Sequence, residues 1–233
     1  MRLGNYDGGV TLSQNRNAVA DRWAAGWRPP VWLFDFDGTL ADSLDLIMAS
    51  FRHATGRVLG AVPDDAVLRA GIGRPLIDQM RELDPARAEE LYDVYVEHNL
   101  RHHDDLLRPF PGVDGLLASL RQCGRRLGIV TSKRRATAEH GAELLGLGSF
   151  EVLVGWEDTD AHKPGPEPVL RALELLGVRA ADAVYLGDSP WDIRCGRAAG
   201  VTTAAVLWGA GSRDELQAER PDLVFERPQE VLR

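Results

Sequence analysis

From Val113 to Leu207 the chain alternates between helical stretches and short apolar runs, and this alternation limits the fold more than any other feature. Helical patterns fall at Val113–Cys123, Arg134–Leu147, Glu167–Leu176 and Trp191–Ala199. Strand-like runs fall at Arg126–Val130, Glu151–Val154, Ala183–Leu186 and Val201–Leu207. Units of this kind assemble as parallel β-α repeats, because each strand buries both faces only when helices cover the sheet on either side. The expected fold class is therefore α/β, a Rossmann-like doubly wound parallel sheet.

One more apolar run, Val31 to Phe36, stands well before the rest and reads as the first strand. The segment after it is helical throughout. Leu44, Ile47, Met48 and Phe51 recur at helical spacing from Ser43 to about Gly56, and further helical stretches follow at Asp64–Ala70, Pro75–Leu83 and Ala86–His103. Pro109-Phe110-Pro111-Gly112 then closes the helical region. The organisation expected is a core of residues 31–42 and 109–233 with a small helical insertion, residues 43–108, after the first strand. Residues 1–30, with Gly4, Asn5, Gly8, Gly9, Asn15 and Asn17, read as a tail without an apolar signal core; alternatively the true start lies near Trp32. Trp23 and Trp27 either remain in that tail or pack on the core.

Composition narrows the function. The net charge of −8 argues against a general nucleic-acid binder, and no apolar run is long enough to span a membrane. The negative field does not draw in an anionic substrate, so local cations must hold one. Cys123 and Cys195 show no metal-ligand or CxxC spacing and suit a reducing cytoplasm. Lysine occurs only at Lys133 and Lys163, and both stand beside candidate chemistry.

In open α/β sheets ligands bind beyond the carboxyl ends of the strands, so the residues there carry the argument. The first strand ends in Asp35-Phe36-Asp37-Gly38-Thr39-Leu40. Carboxylates at i and i+2 share one side of an extended chain, and burying both requires a cation. Gly38 lets the backbone turn directly after them. The Arg126–Val130 strand ends in Thr131-Ser132-Lys133, where a hydroxyl and backbone N–H groups suit a phosphate, although a helix cap has the same residues. His162-Lys163-Pro164-Gly165-Pro166-Glu167-Pro168 holds Lys163 on a loop stiffened by proline. Ala183–Leu186 ends in Gly187-Asp188-Ser189-Pro190-Trp191-Asp192, where Asp188 and Asp192 can face one point. An all-oxygen donor set without a Cys or His cluster favours Mg2+.

The ordered set DFDGTL, TSK, KPGPEP and GDSPWD, spanning roughly residues 31–208, resembles the haloacid dehalogenase-like (HAD) phosphohydrolase superfamily. The helical insertion resembles the cap of its phosphoglycolate phosphatase-like branch. The resemblance implies that Asp35 is the nucleophile forming an aspartyl-phosphate and that Asp37 is the acid and base. Thr131 would bind the transferring phosphoryl group, and Lys163 would neutralise charge beside Asp35. Mg2+ would be held by Asp35, the Asp37 carbonyl and Asp188, with Asp192 supporting the site. Gly38, Ser132 and Arg74 join Thr131 and Lys163 as substrate contacts; Arg74 otherwise reads as an exposed helix-end residue. His102 and His103 either line the cleft or sit at exposed hinge positions.

Asp37 argues against dehalogenation, and the lack of lysine between residues 41 and 110 excludes a phosphonatase Schiff base. The expected activity is Mg2+-dependent hydrolysis of a small phosphorylated metabolite, phosphoglycolate-like, by a cytoplasmic monomer or homodimer. Segment Asp158–Pro168 also looks like the pyrophosphatase relatives, so pyrophosphatase and sugar phosphomutase are the alternatives. A non-catalytic binding protein on the same fold would be marked by loss of Asp35 or Asp37, and both are present.

Overall fold

The computed structural model describes residues 18–19 and 21–232. A short helix, α1 (residues 21–24), precedes β1 (Val31–Phe34). The chain then passes through β2 (Ala41–Asp42) into four helices: α2 (Leu44–Leu59), α3 (Asp65–Arg69), α4 (Leu76–Leu83) and α5 (Ala88–Leu106). β3 (Arg108–Pro109) brings it back beside β2. The alternating part follows as α6 (Val113–Gln122), β4 (Arg126–Val130), α7 (Arg135–Leu144), β5 (Val152–Val154), α8 (Glu167–Leu176), β6 (Ala183–Gly187), α9 (Pro190–Ala199) and β7 (Thr202–Val206). It closes with α10 (Arg213–Ala218) and β8 (Leu223–Phe225).

The large sheet has six parallel strands in the order β5-β4-β1-β6-β7-β8. β1 lies between β4 and β6, with Phe34 opposite both Ile129 and Leu186. The chain builds outward from β1 through β4 to β5, then returns to β6 and builds the other way. That reversal opens a crevice beyond the carboxyl end of β1. Alternation along β1 assigns its side chains to two layers. Trp32 and Phe34 join Ile129, Leu186 and the α6 leucines on one face. Val31 and Leu33 join Val130, Tyr185, Val169 and Cys195 on the other.

The helical insertion has its own apolar centre. Phe51 of α2 meets Tyr95 of α5 with ring centroids 4.9 Å apart, and Met48, Leu68, Met80 and Leu91 fill the space around them. The insertion leaves and rejoins the sheet by a two-residue antiparallel ladder, Ala41 opposite Pro109 and Asp42 opposite Arg108. These short strands have no pattern of their own in the sequence.

Two features stand at the ends of the described chain. Of the two placements considered for Trp23, packing on the core is the one seen. Trp23 is 8% exposed and lies edge-on to Trp32 at 5.6 Å, with the Phe225 ring 5.7 Å away. Arg28 covers its other side at 4.2 Å and donates to its carbonyl. A tryptophan of this size contributes enough burial to hold a segment otherwise poor in apolar residues. The reading of residues 1–17 lies outside the described residues. At the other end, α10 and β8 extend the sheet by a strand beyond the alternation seen in the sequence. Trp23→Ala should lower the unfolding free energy by roughly 3 kcal/mol in urea denaturation. A loss of only about 0.5 kcal/mol, the level of a surface change, would place the segment outside the cooperative unit.

Candidate active site

Asp35 is the first residue past β1. Its N–H still donates to the Leu186 carbonyl at 2.8 Å, so the sheet ladder fixes its backbone while its side chain enters the crevice. Phe36 turns away into the core, as alternation requires. The loop before α8 brings the Lys163 ammonium to Asp35 Oδ1 at 2.9 Å and to Asp192 Oδ1 at 2.6 Å. Lys163 is 3% exposed and Asp192 fully buried. Asp192 caps α9: its Oδ2 accepts from the Ser189 N–H at 3.1 Å and the Ser189 hydroxyl at 2.6 Å. The Tyr185 hydroxyl stands 2.9 Å from Asp192 Oδ1 and 2.8 Å from the Val130 carbonyl. Both oxygens of Asp192 therefore already have donors within the protein.

Asp188 leaves the end of β6. Its Oδ2 accepts the Ala210 N–H at 2.7 Å, and the Thr39 hydroxyl approaches Oδ1 at 3.3 Å. Gly38 crosses above it at φ +79°, and a Cβ there would lie 2.1 Å from Asp188 Oδ2. The glycine so prominent in the sequence thus makes room for a carboxylate. Gly209 has the same role on the other side, where a Cβ would meet the Gly38 carbonyl at 2.2 Å.

Oxygens of Asp35, Asp188 and Asp192 lie within 4.8 Å of one another. Burial pushes the Asp35 carboxyl up; Lys163 pulls it back, and Asp192 and Asp37 repel it, leaving it at about 7. Asp188 is driven well above the usual carboxylate range by burial, then by Asp192 and Asp35. Burial alone would pull Lys163 down, but Asp192 and Asp35 more than offset this and hold it charged. Two of the three clustered carboxylates thus share one ammonium, while Asp188 meets only the Ala210 N–H and the Thr39 hydroxyl. The deficit of positive charge and the all-oxygen donors fit a hard divalent cation.

Asp37 faces the same cavity, and its partner is the second lysine: Lys133 Nζ donates to Oδ1 at 3.0 Å and Oδ2 at 3.1 Å. The sequence reading noted Lys133 beside chemistry but left it out of the site; the rarity of lysine was the signal. Thr131, buried at the end of β4, accepts the Lys133 N–H at 3.2 Å on Oγ1, which leaves its hydroxyl proton free to donate. Ser132 and Arg74, two other expected substrate contacts, also line the cavity, and each has a partner within the protein. Ser132 donates to the Gly73 carbonyl of the insertion at 2.9 Å. The guanidinium of Arg74 is not solvent-exposed: it binds Glu82 through two N–H groups and lies over the Trp191 ring at 5.0 Å. His103 is buried, contrary to the exposed hinge position considered for it.

These groups floor a cavity of about 150 Å3 between the sheet and the helical insertion. Its upper wall is largely apolar, with Ile47, Phe51, Ile72 and Ile77, while Lys133, Arg134 and Trp156 stand at the side.

Fold and strand-end chemistry together define a hydrolase: residues 32–206 match the family described as haloacid dehalogenase-like hydrolase, and the chain belongs to that family. A protein of Clostridium perfringens carrying the PpaX pyrophosphatase name is 40% identical over 201 residues, covering 86% of this chain and 94% of that protein. The pyrophosphatase PpaX of Halalkalibacterium halodurans is 37% identical with the same coverage. Among solved structures, a haloacid dehalogenase-like protein of Bacteroides fragilis superimposes with a TM-score of 0.82 at 28% identity, over 88% of this chain and all of that one. Gly38→Ala should lower stability by roughly 1–3 kcal/mol in thermal unfolding, the range for overpacking a tight site, because the new methyl falls on Asp188.

Proposed function

We propose that this chain is a Mg2+-dependent phosphatase that acts on a small phosphorylated metabolite through a phospho-aspartate on Asp35. The observation that carries this is the pairing of Asp35 with Lys163 at the floor of a cavity that also receives Asp37 and Thr131. Phosphoryl transfer needs positioning and charge neutralisation more than covalent help, and this floor supplies both. Lys163 engages Asp35 Oδ1, which leaves Oδ2 to attack phosphorus. The Thr131 hydroxyl donates to an oxygen of the transferring group. Asp37 delivers a proton to the leaving oxygen and afterwards takes one from the water that cleaves the acyl phosphate. Asp35, the Asp37 carbonyl and Asp188 would hold Mg2+, which supplies charge neutralisation at the phosphoryl oxygens; Asp192 keeps Lys163 in place from behind.

Lys133 adds a condition to this scheme. Lys133 holds both oxygens of Asp37, the same oxygens that leaving-group protonation needs. An anionic leaving group resolves the conflict by drawing Lys133 onto itself and freeing Asp37 to carry its proton. The substrate class that fits is a phosphate whose remainder is small and negatively charged. Residues 43–108 act as the cap that closes over it.

The apolar upper wall supports a carbon-bearing leaving group, as in a phosphoglycolate-like monoester. Pyrophosphate is the second reading, supported by the PpaX names of relatives whose length this chain covers almost fully. Phosphate release from a panel of small phosphomonoesters, hexose phosphates and pyrophosphate, with and without Mg2+, separates the two. Asp35→Asn should abolish turnover, and a fully active variant would remove Asp35 from its role. Asp37→Asn should lower kcat by about 10²- to 10⁴-fold. Lys133→Met should raise KM for the anionic substrate at least about tenfold, with a smaller change in kcat. An unchanged KM would sever Lys133 from the leaving group.

A further inference from the structure

Away from the crevice, at the base of the helical insertion, three side chains from two elements converge. His103 and Asp104 lie in the last turn of α5, just before the chain re-enters the sheet region through β3. His140 projects from α7, which belongs to the alternating part of the fold. Asp104 Oδ1 is 3.0 Å from His103 Nδ1 and 2.8 Å from His140 Nε2, and the two imidazole centroids are 5.4 Å apart. All three donor atoms lie within 4.8 Å of one another. None of these residues has a part in the phosphatase scheme.

We infer that His103, Asp104 and His140 form a binding site for a divalent transition-metal ion of the Zn2+ class, fastening the base of the helical insertion to α7. Two imidazoles and one carboxylate are a donor set for Zn2+, Co2+ or Ni2+ and a poor one for Mg2+. With metal–nitrogen and metal–oxygen bonds of about 2.1 Å, tetrahedral donors stand about 3.4 Å apart. The two carboxylate–imidazole separations need to open by only about half an ångström to reach that spacing, and the two ring nitrogens already lie within 4.8 Å of each other. The site has one rigid and two adaptable arms. His103 is 2% exposed and its ring is held by packing, whereas the side chains of Asp104 and His140 are 57% and 55% exposed and can swing to the ion. The Asp104 carboxylate keeps the proton of His103 on Nδ1 in the metal-free state; Nε2 is bound to no group among the described residues, so that proton can move to it when Nδ1 turns its lone pair to the metal. Water completes the coordination from the open side.

The ligands come from opposite sides of the β2–β3 junction. Occupancy therefore strengthens a link that stands beside the ladder, the Ser132–Gly73 hydrogen bond, the Arg134–Tyr92 contact and the stacking of Arg74 on Trp191. A metal bound there restrains tilting of the insertion over the cavity.

The test uses the full chain in excess Mg2+, so that the strand-end carboxylates are already satisfied. Co2+ is titrated in and followed by visible absorption, and unfolding is measured with and without Zn2+. One equivalent of Co2+ should bind to the wild type with bands of nitrogen-rich coordination, and Zn2+ should raise Tm. His140→Ala and Asp104→Asn alter exposed side chains; each should weaken Co2+ binding at least about tenfold and remove the Zn2+-induced rise in Tm. Basal Mg2+-supported turnover in chelator-treated buffer should be the same in His140→Ala as in the wild type. Co2+ binding of equal strength in wild type and both variants would assign it to other groups and overturn the proposal, as would a wild type that binds no Co2+ in excess Mg2+.

Discussion

Everything at the floor of the crevice depends on one buried ammonium. Lys163 divides its hydrogen bonds between Asp35 and Asp192, and its charge offsets part of the burial that pushes the Asp35 carboxyl up. The demand runs backward through the chain. Asp192 must be immobile to hold Lys163, so it is built into a capping box on α9 and met by Tyr185 from β6. Lys163 must approach from a fixed direction, so its loop is anchored by the Pro166–Glu167 start of α8. Asp35 must project from the sheet without its strand shifting, so its N–H remains in the ladder with Leu186. Lys163 balances only part of the negative charge gathered there, and the remainder is what makes the site receptive to a hard cation.

The two lysines divide the cavity between them. Lys163 is sealed in and bonds one oxygen of Asp35, leaving the other for the proposed attack. Lys133 is more exposed and bonds Asp37, the proposed acid. A chain that uses arginine for every other strong base places its two compact ammonium groups against the two carboxylates that follow β1. Arg74, by contrast, has its fork committed to Glu82 and stacked on Trp191.

Much of this was legible from the letters, for physical reasons. Parallel strands buried on both faces leave continuous apolar runs, so β1, β4, β5, β6 and β7 stood out. The groups at their carboxyl ends then fell into one crevice by topology alone. Short or tertiary features were not legible. β2 and β3 have two residues each and no periodicity. β8 lies past the last clear helix-strand alternation. Trp23 is held by Trp32 and Phe225, partners distant enough in sequence that composition reads its segment as a tail. The pairing of Lys133 with Asp37 and the meeting of His103, Asp104 and His140 join residues across the gap between the insertion and the sheet, or between separate strands. Helix ends moved by a turn or less: α5 runs on to Leu106 and α7 stops at Leu144.

The two-residue ladder between Ala41–Asp42 and Arg108–Pro109 means that the outgoing and returning chains are hydrogen-bonded neighbours, one strand spacing apart. Seen from the sheet, the whole helical insertion is no more than a closed loop. A replacement module whose termini meet at that spacing could be spliced there without cutting a strand of the large sheet. The insertion is thus covalently joined to the strand ends through one narrow joint, and its other ties to them are side-chain contacts.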